Sequence, residues 1–562
     1  MYYLPKSWLL FFLPVALMFG CNGNSSKPSK ELINELQLKT GEIISCGPPG
    51  KEFGIVDFEM SCSEKTKNDF NTAVELLHSF EYDESEKVFS KIIDESPECA
   101  MAYWGIAMCS FHPLWEPPTE NDLKKGAKAI EIANSISKRS EREAGYINAI
   151  AAYYKDWATT DAKARSLNFK NAMELLHSKY PDDNEAAIFY ALSLDAAADP
   201  TDKTYANQRK AGDILNALYA SEPNHPGIIH YIIHTYDYPG IANLGLSAAR
   251  KYAKVAPSSA HALHMPSHIF TRLGLWDDCI KSNKESIASA QCYAESAGIK
   301  GHWDEELHGL DYLVYAYLQK GDNKAAREQL KYITTITDVY PINQKVAYTF
   351  AAAPSRVALE NKDWNEAATL SSDHANFPWN KYPWQKAMIH FTRLLGAVHI
   401  GNIEAAQSEL ANLDRLYDTL QKQKDLYKSK QVAIQIKAGE AWIKLAAGKQ
   451  TEALNLMKTA ADMEDSTSKH PVTPGEILPA RELYADMLLE TKQNDIALQA
   501  YETVLQKSPN RFNSLYGAAS AAERSGDIKK TIFYYKQLVS IADSVNSDRT
   551  ELSAARSFLK KY

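Results

Sequence analysis

A chain of 562 residues, 45% hydrophobic and 23% charged, has ample material for a buried core, and its length alone would suggest several domains. A formal net charge of −8 and a pI near 6.1 leave no basic face for phosphates, and no block of like charge reads as an interaction tail; nucleic acid is therefore not an expected partner. Gly-rich phosphate loops, Gly-x-Ser-x-Gly, His-Glu-x-x-His and Cys-x-x-Cys are all missing, which excludes the recognised phosphate-loop and nucleophile machinery.

Residues 1–21 read as a targeting segment. Lys6 precedes the apolar stretch Trp8 to Phe19, which is too short to span a bilayer and ends at Gly20-Cys21. The pattern resembles a bacterial lipoprotein signal, in which cleavage leaves Cys21 as the lipidated N-terminus. Met18 and Phe19 depart from the usual Leu-[Ala/Ser]-Gly-Cys, and a plain cleaved signal peptide is the alternative. Either way the mature chain is exported; the lipoprotein reading places it in the periplasm or at the outer membrane, with a membrane as partner through Cys21. Residues 22–45, opening with NGNSSKPSK, form a polar tether with too few apolar groups to fold. No later apolar run is long enough to cross a membrane.

From residue 46 to 562 the chain reads as one array of helical hairpins. Ser85, Phe89 and Pro97 stand at the spacing of tetratricopeptide positions 20, 24 and 32, as do Ala497, Tyr501 and Pro509, then Ala211, Leu215 and Pro223, then Gly245, Ala249 and Pro257. Gly274, Gly321, Gly448 and Gly526 fall at turns between paired helices, where a left-handed φ is wanted. Roughly eleven or twelve hairpins fit after about residue 64. Only Gly54 to Met60 reads as a short strand or extended lead-in. The expected fold class is an all-α, tetratricopeptide-like solenoid, a superhelix with a short extended N-terminal lead-in.

Six cysteines remain beside Cys21, in a compartment where disulfides persist. Cys99 with Cys109, and Cys279 with Cys292, each share one predicted helix, too far apart along its axis to meet. The expected bridge is Cys62 to Cys99, with Cys62 to Cys46 as the alternative; Cys109 and Cys279 read as buried thiols.

The chemistry lies in the centre, in the histidine-rich repeats at about 224–320. His230 and His234 form a His-x-x-x-His pair, and His264 and His268 repeat it 34 residues later, which is the tetratricopeptide period. Eight of the fifteen histidines fall between residues 225 and 308, where an even spread would place about two. With units starting at Pro226 and Ala260, His230 and His264 take position 5 of the inner helix, and His234 and His268 take position 9. Asp237 takes position 12, His261 position 2 and Arg272 position 13. Aligning Gly321 with Gly274 puts His308, Asp311 and Tyr315 at positions 2, 5 and 9 of the next helix. Pro266 should kink the second of these helices.

Helical neighbours four apart and packed helices about 8 to 10 Å apart let such imidazoles share one ion. The expectation is a transition-metal site, zinc, copper or iron, with His230, His234, His264 and His268 as ligands. Asp237, His261, Arg272, His308, Asp311 and Tyr315 would support it or touch a substrate. A metal with an open position could activate water or dioxygen, which leaves open whether the chain is an enzyme. The competing readings are a groove binding a peptide or small anionic molecule through imidazoles and Arg272, a scaffold for a partner protein, and a purely structural polar core. Trp104, His112, Trp115 and Glu116 favour packing over ligand contact, and Trp379, Tyr382 and Trp384 form either a lid or a satellite core.

Several segments resemble a known group: FNTAVELLHSFEYDESEKVF with CAMAYWGIAM, HPGIIHYIIHTYDYPG with HALHMPSHIFTRLGLWDD, and GEILPARELYADMLLE with PNRFNSLYGAASAAERSGD. They are similar to exported bacterial tetratricopeptide-repeat proteins of largely unassigned function, over most of the chain after about residue 50. The resemblance implies the solenoid and a concave groove lined by inner-helix positions 2, 5, 9, 12 and 13; it supplies no reaction.

Overall fold

The structure is a computed structural model that describes residues 1, 27–48, 52–114, 117–371, 374, 376–468 and 470–562. Residues 2–26, which hold Cys21, nearly all of the signal segment and the start of the tether, and Trp115 with Glu116 lie outside the described residues; the rest of the expected tether is ordered instead, with a short helix at Lys30–Asn34 and Leu36 buried in the core.

Among the described residues twelve helical hairpins follow one another, from Lys67–His78 with Tyr82–Glu95 to Phe512–Ser525 with Ile528–Ile541, and a last helix, Thr550–Leu559, covers the end. The class is all-α, a tetratricopeptide-like helical solenoid. Its turns follow the glycine pattern. Gly274 and Gly526 close their helices in the left-handed conformation, with φ of 65° and 81°, where a side chain would be strained. At Gly274 a Cβ would also lie 2.2 Å from the Pro509 carbonyl oxygen, because the eleventh hairpin's exit loop is seated on this turn.

Gly54 to Met60 is an extended lead-in without a strand partner. Its backbone donors are taken by Asn224 O, Glu75 and Asn71 instead, at 3.0 to 3.2 Å. The β-bridge among the described residues is elsewhere, between His302–Trp303 and Val339–Tyr340, where the outer helix Trp276–Ser296 overruns and the connection needs an extended return. Pro266 divides the sixth inner helix into Ala260–His264 and Pro266–Leu273, with Met265 holding helical angles between them.

Both ends of the array curl back onto its middle. From the N-terminal side, Cys46 is joined to Cys292, Ser45 Oγ meets Ser258 Oγ at 3.0 Å, and Ser259 Oγ donates to Glu81 Oε1 at 2.6 Å. Cys46 thus pairs across 246 residues rather than with Cys62, because the lead-in is laid across the fifth and sixth hairpins; Cys62 is joined to Cys99, and Cys109 and Cys279 are buried thiols. From the C-terminal side, Trp276 Nε1 donates to Asn510 O at 2.9 Å, Phe512 N to Gln319 Oε1 at 3.0 Å, and Arg272 Nη2 to Thr473 O at 3.3 Å. The expected open groove is therefore covered, and the inner-helix faces at its centre are buried. All sixteen residues of Asp304–Gln319, charged ones included, are buried, as a helix packed on every side requires.

Aromatic residues singled out in the sequence serve this packing. Trp104 is buried against Phe58, Phe70, Tyr146 and Phe189, and Trp384 is buried beside Tyr348 and His470. No helix among the described residues is long and apolar enough to cross a membrane.

Candidate metal centre

Three successive inner helices bring six imidazoles together. Pro226–Tyr236 begins with proline in its first turn, its missing N–H costing nothing there, and carries His230 and His234 on one face. Ala260–His264, capped by the Ser259 hydroxyl on Ala262 N, carries His261 and His264; Pro266–Leu273 carries His268; Asp304–Gln319 carries His308.

They form two groups of three, not one group of four. His230, His234 and His261 form the first triad and His264, His268 and His308 the second; within each triad the candidate ligand atoms lie within 4.8 Å of one another. Each triad takes positions 5 and 9 of one inner helix and position 2 of the next. The stagger of the superhelix explains the grouping: the start of each helix faces the middle of the one before it. The ring centroids of His234 and His268 are 6.3 Å apart, so the triads are neighbours.

The hydrogen bonds define where the lone pairs point. His230 Nδ1 lies 2.6 Å from the His78 carbonyl oxygen, which only accepts, so the proton of the neutral ring sits on Nδ1 and the Nε2 lone pair faces inward. Nε2 of His234 and of His261 lie 2.9 and 3.2 Å from it. His264 Nδ1 donates to Asn283 Oδ1 at 2.7 Å, an orientation set by Asn283 Nδ2 donating to Cys279 O. His268 Nδ1 donates to Asp237 Oδ2 at 2.9 Å. The Nε2 atoms of His264 and His268 then face each other across 3.1 Å, with the Tyr312 hydroxyl 3.4 Å from the latter.

Burial, reinforced by neighbouring imidazoles, pushes His230, His234, His264 and His308 well below the usual histidine range, which keeps them neutral and ready to ligate. His230 and His264 are wholly buried, and Phe80, from the turn of the first hairpin, roofs the first triad with its ring centroid 4.5 Å from that of His230.

Of the expected supporting residues, Asp237 sits behind His268 and is itself held by Arg272 Nε at 3.0 Å. His261 and His308 each complete a triad. Asp311 and Tyr315 stand apart. Asp311 is a buried ion pair with Arg356, and Tyr315 packs on Trp276 with its hydroxyl 3.5 Å from Arg511. They occupy positions 5 and 9 of a helix whose facing groups are arginines, so no third triad forms.

Sequence reasoning missed several participants. Tyr312, one turn after His308, places its hydroxyl 3.4 Å from His268, and its i+4 spacing was legible. Asn283, the His78 carbonyl and Glu305 come from distant parts of the chain, and no local pattern marks them. A third cluster, His78, Glu185 and His225, was also unforeseen. Its carboxylate accepts from both rings, at 3.0 and 2.9 Å, while His78 Nδ1 meets Tyr231 OH at 2.9 Å and His225 Nδ1 accepts from Ile228 N. Every ring nitrogen in it has a partner. Gly227 makes room for it, since a Cβ there would lie 2.4 Å from His78 Nδ1.

Among known proteins, no family model and no curated protein matches the chain. Several solved structures do align. The human IFIT1 dimer with m7Gppp-AAAA is 11% identical, covering 83% of this chain and 95% of its own, with a TM-score of 0.33. Yeast Tom70 is 10% identical, covering 89% and 96%, also with a TM-score of 0.33. The TPR domain of P58(IPK) is 16% identical, covering 67% and 99%, with a TM-score of 0.20. At these scores the helical hairpins of this chain, rather than the alignments, carry the assignment of fold.

Proposed function

We propose that this chain is a transition-metal protein whose two three-histidine triads each hold one ion and together bind a small molecule at the centre of the solenoid. The observation that carries it is the convergence of three imidazoles in each triad, their candidate ligand atoms within 4.8 Å of one another in a buried site where His230, His264 and His268 are held from behind by His78 O, Asn283 and Asp237. Ligands about 2.05 Å from a tetrahedral ion stand about 3.3 Å apart, close to the 2.9, 3.1 and 3.2 Å separations found here. Three neutral nitrogens suit zinc, copper or iron rather than calcium or magnesium, and leave a coordination position open. An ion held so supplies Lewis acidity and an acidified water. The protein's part is to keep the rings neutral, orient them through His78 O, Asn283 and Asp237, and exclude bulk water. Burial of the triads favours a small ligand over a peptide.

Metal analysis of protein purified without chelator or His-tag is the test: about two transition-metal ions per chain are expected. A wild-type chain that stays free of metal when offered zinc, copper and iron in turn returns the histidines to a ligand-binding or scaffold role.

We further propose, on the sequence pattern at Gly20-Cys21, that the chain is tethered at the cell envelope through a lipid on Cys21. Wild-type protein should take up lipid label and a Cys21→Ser variant should not; an N-terminus downstream of Cys21 in unlabelled wild type would overturn this.

A further inference from the structure

Behind each triad stands a carboxylate held by a cation, buried in the case of Arg272 and partly buried in the case of Lys345. In the second triad the order is Arg272, Asp237, His268, with contacts of 3.0 and 2.9 Å. In the first it is Lys345, Glu305, His261. The Lys345 ammonium bonds Glu305 Oε1 and stands 2.6 Å from Asp304, while Glu305 Oε2 lies 3.8 Å from His261 Nδ1. That Oε2 is buried and has no hydrogen-bond partner among the described residues. An orphaned, buried carboxylate oxygen is expensive, because its desolvation is left uncompensated, and such an atom marks a partner or a state not yet formed. Glu305 lies in the first turn of Asp304–Gln319, three residues before His308, so one carboxylate borders a histidine of each triad.

We propose that Glu305 is the positioning carboxylate of the first triad: it accepts the Nδ1 proton of His261 when His261 Nε2 holds an ion, as Asp237 does for His268. This rests on the metal reading above. A ring that gives its Nε2 lone pair to a cation carries its proton on Nδ1 and becomes a stronger donor there. Closing the gap from 3.8 Å to a charge-assisted bond of about 2.8 Å takes a shift of about 1 Å, within reach of a glutamate side chain. Lys345 anchors the other oxygen, so the movement turns Oε2 without releasing the carboxylate. Each triad then has one histidine oriented by a carboxylate and one, His230 or His264, oriented by a neutral acceptor.

The experiment uses the full chain with zinc(II) and cobalt(II) alone as probes, and the variants Glu305→Gln, Glu305→Asp and Asp237→Asn. Glu305→Gln should keep the wild-type melting temperature within a few degrees yet bind one of its two ions 10- to 100-fold more weakly, with changed visible bands for that cobalt ion. Asp237→Asn should change the other ion, and Glu305→Asp should recover part of the lost affinity. In a His230→Ala/His234→Ala background, Glu305→Gln should change the affinity for the ion that remains far less than it changes the first-triad ion of the intact chain. Wild-type affinity and cobalt spectrum in Glu305→Gln would overturn the assignment, as would equal losses in Glu305→Gln and Glu305→Asp. If wild-type protein binds neither metal, the metal reading itself fails, and this assignment with it; that outcome differs from the others because no variant would then bind an ion.

Discussion

Two regions of this molecule hold buried histidine clusters of similar composition and opposite character. In the cluster of His78, Glu185 and His225 every ring nitrogen is hydrogen-bonded, and the central carboxylate, which burial would raise, is instead held below its usual range by its two imidazoles. In the triads the Nδ1 atoms of His230, His264 and His268 are satisfied from outside, and each Nε2 faces other imidazole nitrogens of its own triad. A histidine cluster is thus diagnosed by where its protons must sit, not by how many histidines it contains. The first cluster is a clamp, and it serves the triads at one remove: the backbone carbonyl of the residue it pins, His78, is the acceptor that orients His230.

The contrast can be tested in five ways. The largest effect should follow replacing His264 and His268 together by alanine, which should remove one of the two ions outright and leave the other; metal counting on the purified variant checks this, and loading of two ions would merge the two kinds of cluster. Next, Glu185→Gln should cost about 3–5 kcal/mol in chemical denaturation by breaking a buried charge-assisted pair, while the number of ions bound stays at the wild-type value. Loss of ions without loss of stability would make the clamp a metal site instead.

Smaller shifts sharpen the same distinction. Saturating zinc at about 100 times its dissociation constant should stabilise the wild-type fold by about 2.7 kcal/mol for each ion bound, seen as a higher melting temperature. Acid should reverse it. Burial holds His230, His234, His264 and His308 well below the usual histidine value near 6.5 when folded, so the unfolded state takes up protons first. Stability should therefore be complete above about pH 6.5 and fall as pH drops beneath it, with metal released in the same window. Melting temperatures without metal that stay flat from pH 7.5 to 5 would contradict the neutral buried rings. The smallest effect should come from Tyr315→Phe, whose hydroxyl faces Arg511 rather than the triads: metal affinity should stay within about twofold of wild type. A larger loss would extend the site to the seventh inner helix.

Much of the centre was legible because a helical repeat turns sequence spacing into position. The 34-residue offset placed His230 with His264 and His234 with His268, and the glycine at 321 carried the frame across a longer unit to His308. What the spacing could not say is which helix-start residue joins which pair. His261 was read as a supporting residue of its own helix, whereas the stagger between neighbours gives it to His230 and His234. Asp311 and Tyr315 looked equivalent to His264 and His268, and only the arginines packed against them from helices far along the chain separate them.

By itself the sequence determined the helical class, the hairpin turns at Gly274 and Gly526, and the presence of six histidines on successive inner helices, since these follow from local backbone preference and a fixed repeat length. The closure of the solenoid, the disulfide from Cys46 to Cys292, the acceptors behind each imidazole and the division into two triads were decided by tertiary structure. They depend on contacts between residues tens to hundreds of positions apart, whose energies no local pattern records.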